Sequence, residues 1–208
     1  RFMVGRMAKP PKRARTQKER SEATTASLVS AARALFAARG FADTSIEDVL
    51  NAASVTRGAL YHHFDSKTAL FRAAFEEQEK ILTLAVARAA AGKRGAWPAF
   101  RAGCEAFLEA CLDPETQRII LIDAPAVLGW DVMREIESRY ALALLRGGLE
   151  AMMKEGKLAR RPIDTLASIL LGALSEAAMA IARAPDPRAA SLDARREIDH
   201  LLKSLIKN

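Results

Sequence analysis

Residues Thr56 to Phe64 bring an arginine, a tyrosine and two adjacent histidines together in one short segment. The segment has too few apolar positions to form a core of its own. Its hydrogen-bond donors suit phosphate oxygens and base edges, and Gly58 and Ala59 would permit close approach to a DNA groove. Arg57 could read guanine through two parallel hydrogen bonds. The pattern predicts a surface helix that binds DNA.

The adjacent pair His62 and His63 has a second interpretation, as a metal site or a catalytic pair. Neighbouring residues on a helix point about 100° apart, so two adjacent imidazoles do not converge on one ion. His200 is the only other histidine, and no spacing typical of zinc ligands is present. We therefore expect no metal, no cofactor and no catalytic residue. The alternative is a helical-bundle enzyme that uses these two histidines and Asp123 for acid–base chemistry.

The elements around this segment are predicted to be short helices. Apolar residues recur at helical spacing after a cap at Thr24 or Thr25, and Gly40 ends this first helix. The stretch Thr44–Glu47 fits a capping box for a second helix, and Thr56 is a good N-cap for the third. Two short helices joined by such a turn form a helix-turn-helix.

Longer helices are predicted downstream. One follows the cap Ser66 and runs to the link Gly92–Gly95. Residues 114–122 fit either a helix begun by proline or a buried strand. In a long helix from Trp130 to Glu155, Gly147-Gly148 indicates either a kink or close packing of a neighbour. The helix at about 162–184 is apolar on nearly every side, and the last helix, at about 189–207, is amphipathic. A second chain packed against this pair would explain both patterns.

Composition agrees with an all-α protein. Of 208 residues, 50% are hydrophobic but only 6% are aromatic, a balance that favours helices over strands. The apolar run Ala167–Ala182 is shorter than the roughly 20 residues of a membrane span, so we expect no membrane contact. No secretory signal is visible, and the chain has two cysteines. These features indicate a cytoplasmic location.

The net charge of +7 is concentrated at the N-terminus. Residues 1–20 contain eight basic side chains and one acidic side chain, so the other 188 residues are neutral overall. Such a segment is either a flexible arm that follows DNA phosphates or a solubilising tail. If it follows phosphates, deleting residues 1–20 should flatten the salt dependence of DNA binding and leave sequence preference intact.

The stretch 25–75 resembles the TetR family of bacterial transcriptional regulators. The resemblance rests on Ala32–Phe41, on Thr44-Ser45-Ile46, and on Gly58–Phe64 with Lys67 and Leu70-Phe71, which occur in the family's order and spacing. It implies an all-helical homodimer of about nine helices per subunit, in which a small N-terminal domain reads a palindromic operator. A larger C-terminal domain would bind an effector and dimerise through the last two helices.

This resemblance sets the predicted domains: a basic flexible arm at residues 1–22, a DNA-binding domain at 23–72 with its helix-turn-helix at 45–64, and an effector-binding and dimerisation domain at 73–208. It also implies that Tyr61 and His63 donate to phosphates and that Thr44 and Lys67 clamp the DNA backbone. The predicted DNA contacts are Thr44, Thr56, Arg57, Gly58, Ala59, Tyr61, His62, His63 and Lys67.

An apolar effector pocket is predicted in the second domain from aromatic and sulfur-containing side chains at helical spacing. Plain core is the competing interpretation. Asp123 is included as a partner for a cationic ligand, although it could instead cap the turn at Ala124-Pro125. The candidate residues are Trp97, Phe100, Cys104, Phe107, Asp123, Trp130, Met133 and Tyr140.

The sequence thus predicts a DNA-binding regulator, a repressor that a small, largely apolar effector releases from double-stranded operator DNA. Two alternatives stay open. One is the helical-bundle enzyme, for which no nucleophile elbow or phosphate loop is present. The other is a DNA-binding protein that no ligand controls.

Overall fold

The computed structural model describes residues 16–206, and their regular secondary structure is helical except for one isolated antiparallel bridge between Leu158 and Ile206. The predicted all-α fold is confirmed. The helices in chain order are α1 (Gln17–Arg39), α2 (Ile46–Ala53), α3 (Arg57–His63), α4 (Lys67–Ala91), α5 (Ala96–Ala110), α6 (Pro114–Thr116), a π-helical segment (Gln117–Asp123), α7 (Ala124–Arg139), α8 (Ala141–Lys154), α9 (Ile163–Arg183) and α10 (Pro187–Lys203).

Helix α1 begins earlier than the sequence pattern indicated. The Thr16 hydroxyl accepts a hydrogen bond from the Glu19 amide at 3.2 Å, and the Glu19 carboxylate accepts one from the Thr16 amide at 2.7 Å. This capping box stabilises a start at Gln17. The predicted start at Thr24 or Thr25 is therefore wrong.

The predicted arm is shortened as a result. Residues 17–22 are helical, and residues 1–15 lie outside the described residues. A deletion that tests the arm should stop at residue 15, because a longer one would remove the Thr16 cap. The deleted segment still carries six basic side chains and no acidic one.

Helix α2 is capped one residue later than predicted. Ser45 is the N-cap: its hydroxyl accepts from the Asp48 amide at 3.1 Å, and the Asp48 carboxylate accepts from the Ser45 amide at 3.0 Å. Thr44 instead points inward and is 1% exposed. Its hydroxyl donates to the Gly40 carbonyl at 2.8 Å, so Thr44 closes the loop between α1 and α2.

An aromatic cluster joins the start of α4 to α1 and to the loop that follows α1. The ring centroid of Phe36 lies 5.7 Å from that of Phe41 and 5.2 Å from that of Phe71, and Phe41 and Phe71 are 5.3 Å apart. Leu60 of α3 and Leu70 of α4 are fully buried in the same core. Helix α1 therefore packs on the first turns of α4, and α2 and α3 pack on α1.

The segment after α5 is helical, as one of its two interpretations predicted. Asp113 caps α6 by accepting from the Thr116 amide at 2.9 Å, and Pro114 occupies the first turn. The chain then widens into the π-helical turn Gln117–Asp123, with Ile119 fully buried. Such π-helical turns are rare and occur frequently at functional sites.

The predicted helix Trp130–Glu155 is interrupted at Tyr140, where the backbone has φ −118° and ψ −90°; α7 itself is broken at Gly129 (φ +73°, ψ 168°), directly before the predicted start at Trp130. Helix α8 continues without a break through Gly147 and Gly148. A Cβ atom at Gly148 would lie 2.3 Å from Cδ2 of Phe100, whereas one at Gly147 would meet nothing within 4 Å. Close packing of α5 against α8, rather than a kink, therefore accounts for the glycine pair.

Helix α9 is the one helix of residues 16–206 that is long and apolar enough, by length and composition, to cross a membrane. Helix α9 has 21 residues and is longer than the apolar run Ala167–Ala182, so length alone does not support the prediction of no membrane contact. In the structure it packs against α8 and α10 through Leu170, Leu174 and Ile181, all buried. This packing makes α9 part of the core of the second domain.

Candidate functional site

Helix α3 presents one face to solvent because its other face is anchored. The Thr56 hydroxyl accepts from the Ala59 amide at 3.3 Å and caps the helix, as predicted. Leu60 is fully buried beneath it. Tyr61, 46% exposed, and His62 lie on the outer side. The local sequence alone sets this orientation, since the single apolar position in the middle of the helix must face the core.

Arg57 already has a partner inside the chain. Its guanidinium forms an ion pair with the carboxylate of Glu47 on α2, and the two side chains are 59% and 55% exposed. An exposed pair of this kind is weak, because water screens it. Arg57 is thus held at the surface in an arrangement that a stronger acceptor could replace.

The surface around Gly58 is open. A Cβ atom at this position would meet nothing within 4 Å, so packing inside the chain does not require a glycine here. Within residues 16–206, the bare backbone at the start of α3 thus leaves room for another molecule to come close.

The two histidines differ in their surroundings. His63 is half-buried, and its Nδ1 lies 3.3 Å from the hydroxyl of Thr25 on α1. His62 is exposed, and the two ring centroids are 5.1 Å apart with the ring planes at 73°. Among residues 16–206, no group of three or more His, Cys, Asp or Glu side chains is placed to hold a metal ion.

Lys67 begins α4 beside the loop between α1 and α2. Its ammonium lies 3.4 Å from the carbonyl of Ala42 and 4.2 Å above the ring of Phe41. These two contacts hold the Lys67 side chain against the loop between α1 and α2. Thr44 does not join this surface: its buried hydroxyl is already used, so the predicted phosphate contact of its side chain is wrong.

The segment 114–123 ties the second domain to the DNA-binding helices. The Phe41 amide donates to the Asp123 carboxylate at 2.7 Å, and the Arg118 guanidinium donates to the same oxygen at 3.2 Å. Gly40, at φ +84°, lies directly under that guanidinium. Asp123 makes no side-chain cap for α7. The predicted turn cap by Asp123 is therefore wrong, and its carboxylate is instead used by partners within the chain.

A polar relay through α4 supports the same junction. Arg33 of α1 donates to the amide oxygen of Gln78 at 3.0 Å, and the Gln78 amide group donates to the Thr116 hydroxyl at 3.0 Å. Arg33 also forms an ion pair with Glu115. Because Gln78 is 3% exposed, this relay is buried and its partners are hard to replace with water.

The second domain contains a cavity of about 370 Å³ between α4, α5, α8 and α9. That volume lies in the range of pockets that hold drug-sized ligands. Apart from Glu79 and Thr83, its lining residues are apolar or glycine: Leu82, Val86, Ala87, Ala90, Ala96, Ala99, Phe100, Gly103, Cys104, Phe107, Ala141, Ala143, Leu144, Leu145, Gly147, Gly148, Ala151, Leu171 and Leu174.

Three of the eight predicted effector residues, Phe100, Cys104 and Phe107, line this cavity. The other five do not. Trp130 is 68% exposed, with the Arg134 guanidinium 4.5 Å above its ring. Tyr140 donates to the Glu76 carboxylate at 2.8 Å, and its partial burial together with that bond raises its pKa to about 12. Trp97, Met133 and Asp123 are likewise absent from the lining.

The sequence prediction missed the contributions of α8 and α9 and the acidic residue of α4. Small residues such as Ala143, Gly147 and Ala151 give no pocket signal in a sequence, because they also suit any tight helix contact. Cys104 of the lining is a thiol whose pKa burial raises to about 12. The cavity wall is therefore chemically inert except for Glu79 and the Thr83 hydroxyl.

Comparison with known proteins agrees with both halves of the structure. Residues 28–74 match the model of bacterial regulatory proteins of the tetR family, and residues 97–205 match the tetracyclin repressor-like C-terminal domain. A solved TetR-family transcriptional regulator from Pectobacterium atrosepticum is 35% identical and superposes with a TM-score of 0.81, covering 93% of this chain and 99% of that one.

Two Escherichia coli proteins are also similar. The transposon Tn10 TetC protein is 28% identical over 156 residues, which are 75% of this chain and 79% of that protein. The probable acrEF/envCD operon repressor of strain K12 is 41% identical over 61 residues, 29% of this chain and 28% of that protein. With the matching fold and the exposed helix α3, these similarities show that the chain belongs to the TetR family and is a DNA-binding transcriptional regulator.

Proposed function

We propose that this chain is a homodimeric repressor that leaves a palindromic operator when a small, largely apolar effector fills the cavity. The observation that carries the proposal is the course of α4. It begins at Lys67 beside the small domain, and one face of it, from Glu79 to Ala90, lines the cavity. An effector that favours one position of α4 would change the placement of α3, provided that it binds the two states with different affinity.

On the DNA side, Arg57 contacts a base, and Gly58 and Ala59 permit the close approach. Tyr61, His62, His63 and Lys67 contact phosphates, while Thr56 acts through the cap that orients the helix. The exposure of Arg57, Tyr61 and His62 and the open space over Gly58 support this division. DNA would replace Glu47 as the partner of Arg57.

The dimer forms through α9 and α10. Support comes from large apolar side chains that the single chain leaves uncovered there: Ile169 is 61% exposed, Leu192 is 64% exposed and Leu201 is 43% exposed. Exposed apolar patches of this kind commonly mark interfaces. A two-fold dimer would hold the two copies of α3 for half-sites about 34 Å apart, one DNA turn.

The remaining assignments follow from this function. The arm, now residues 1–15, supplies non-specific attraction to DNA, and the chain works in the cytoplasm without catalysis. The small domain extends to about residue 72 and the effector-binding domain follows it. Control by a ligand, rather than by protein concentration alone, is supported by the apolar cavity.

The test starts with operator selection from a random DNA library, followed by titration of the selected duplex with dimeric protein. Apolar amines, alcohols and acids are then screened for thermal stabilisation and for release of the duplex. Ala87→Phe on α4 fills the cavity, and Ala85→Phe makes the same change on an exposed position of the same helix. We expect Ala87→Phe alone to lose ligand-induced release.

A selected duplex that binds without any preference over random DNA would overturn the regulator assignment of α3. Release that persists unchanged in Ala87→Phe would place the effector outside this cavity. If no compound stabilises the protein, concentration alone would control it.

A further inference from the structure

We infer that the effector is an amphipathic cation, an apolar molecule with one ammonium-type group, and that Glu79 binds this group. The inference rests on the proposed function, because it takes the cavity as the effector site. It adds the charge and the chemical class of the ligand, which the family assignment leaves open.

The first observation is the isolation of Glu79. The residue is 3% exposed and lines the cavity. Its Oε2 atom is shielded from solvent and has no hydrogen-bond partner within residues 16–206. No ion pair in this part of the chain includes it, although Lys80 and Glu77 next to it on α4 pair with each other at 3.4 Å.

The groups that face Glu79 do not neutralise it. The carboxyl of Glu137 on α7 lies close enough to oppose its ionisation, and Glu137 itself is paired with Arg134 at 3.4 Å. The thiol of Cys111, directly after α5, is a further titratable neighbour, and burial raises its pKa to about 12. An ionised Glu79 would thus have no compensating charge from these groups, and Glu137 opposes its ionisation.

Burial and the repulsion from Glu137 raise the pKa of Glu79 to about 8. In the empty cavity at neutral pH the side chain is therefore mostly protonated and uncharged, which lets the protein fold around it. An ammonium group in the cavity would reverse this state, because an opposite charge at contact distance favours the carboxylate. A cation thus supplies the partner that the protein lacks.

Stability does not account for a glutamate at this position. A buried acidic group without a partner lowers the free energy of unfolding, and an apolar side chain of similar size would be more stable there. Every other lining residue except Thr83 is apolar or glycine. A single acidic group in such a cavity selects ligands by charge at one point while the apolar walls bind the rest of the molecule.

The test compares two ligands of the same shape, 4-phenylbutylamine, which is a cation at neutral pH, and 4-phenylbutan-1-ol, which is neutral. Binding to the full-length dimer is measured by calorimetry and by release of the selected operator. We expect the amine to bind about tenfold more tightly than the alcohol, as a charge-assisted bond is about twice as strong as a neutral one. Glu79→Gln should abolish this preference, and Glu77→Gln, on the exposed side of α4, should keep it.

Equal affinity for the two ligands in the wild type, or an amine preference that survives Glu79→Gln, would overturn the inference. Both results would leave the proposed function intact, because an apolar ligand would still occupy the cavity. If neither ligand binds or releases operator, and Ala87→Phe keeps the wild-type response to the compounds found in the screen, the cavity is not the effector site.

A measurement on the wild type alone guards against misfolding of the Gln variant. Since the amine binds the ionised carboxyl, its binding should release protons near pH 7 and become tighter from roughly pH 6 to 9. Calorimetry in buffers of different ionisation enthalpy counts the protons released. The alcohol should release none, and proton-free binding of the amine would contradict the role of Glu79.

Discussion

The charged side chains on the outer face of α3 and in the wall of the cavity lie in opposite environments. On α3, Arg57 is exposed and ion-paired with Glu47, and Lys67 lies against the Ala42 carbonyl. In the cavity, Glu79 is buried and has no cationic partner among residues 16–206. Water makes the first arrangement inexpensive to form and to break, whereas the second persists only because the carboxyl takes up a proton.

The difference separates two kinds of recognition. The exposed pairs can be exchanged for phosphates and bases without a large penalty, so DNA binding there depends on placement and on many contacts. Residues 22–72 contain five basic and five acidic side chains and cannot attract DNA through net charge. In the cavity, the carboxyl of Glu79 alone selects the charge of the ligand, because water does not compete for that carboxyl.

The largest effect that would sharpen this comparison concerns Glu79 and pH. Its pKa of about 8 in the folded protein lies above the ordinary 4.5, so the folded state holds a proton that the unfolded chain loses. The resulting stability is complete below about pH 4.5 and is lost as pH rises to about 8. We expect Glu79→Gln to remove this pH dependence and to gain on the order of a few kcal/mol over the wild type near pH 8.

Chemical denaturation of both proteins across this pH range provides the measurement, with Glu77→Gln as the control. The compared quantity is the difference in free energy of unfolding between the wild type and Glu79→Gln. If this difference were the same at pH 8 as at pH 5, Glu79 would be ionised or partnered in the folded protein. The contrast between the two surfaces would then disappear.

The next effect concerns the exposed side of the comparison. Arg57→Ala should reduce the preference for the selected operator over random DNA by roughly 1–3 kcal/mol, because a two-point contact with guanine is lost. Fluorescence anisotropy titrations with both duplexes measure this difference. Arg88→Ala, an exposed arginine near the end of α4, should leave the preference unchanged.

A companion variant tests whether Glu47 competes with DNA for that arginine. Glu47→Gln should tighten operator binding, since Arg57 no longer has to leave an ion pair. Weaker binding of this variant would mean that Glu47 positions the arginine instead of competing for it.

The cavity wall offers a matched pair of glycine variants. Gly148→Ala would place a Cβ atom 2.3 Å from Phe100, so the ring must move and the protein should lose roughly 1–3 kcal/mol of stability. Gly147→Ala meets nothing within 4 Å and should gain up to about 1 kcal/mol from helix propensity. Thermal unfolding distinguishes them, and equal effects would show that α5 and α8 are not in close contact.

The smallest effect concerns Thr44. Thr44→Val removes a buried hydrogen bond to the Gly40 carbonyl and should cost about 1 kcal/mol of stability. Operator affinity, measured well below the unfolding temperature, should stay the same because the hydroxyl is buried. A loss of affinity without a loss of stability would restore Thr44 as a phosphate contact.

The sequence predicted what local patterns control. The cap at Thr56, the inward Leu60, the end of α1 at Gly40 and the all-helical fold are local properties, because helix periodicity and caps depend on residues only a few positions apart. The same patterns carry the family resemblance. The cap of α2 was wrong by a single residue, since Thr44 and Ser45 are both suitable N-caps by type, whereas the start of α1 was placed eight or nine residues too late because Thr16, Thr24 and Thr25 all suit that role.

Only the tertiary structure decided the chemistry of the second domain. Glu79 stands in the polar run Glu76-Glu77-Gln78-Glu79-Lys80, which as a sequence resembles a solvated helix face. Packing of α5, α7 and α8 on α4 buries this one carboxyl and leaves Glu77 and Lys80 outside. Likewise, Asp123 meets the Phe41 amide across 82 positions of sequence. Such contacts depend on how helices meet, and no local pattern contains that information.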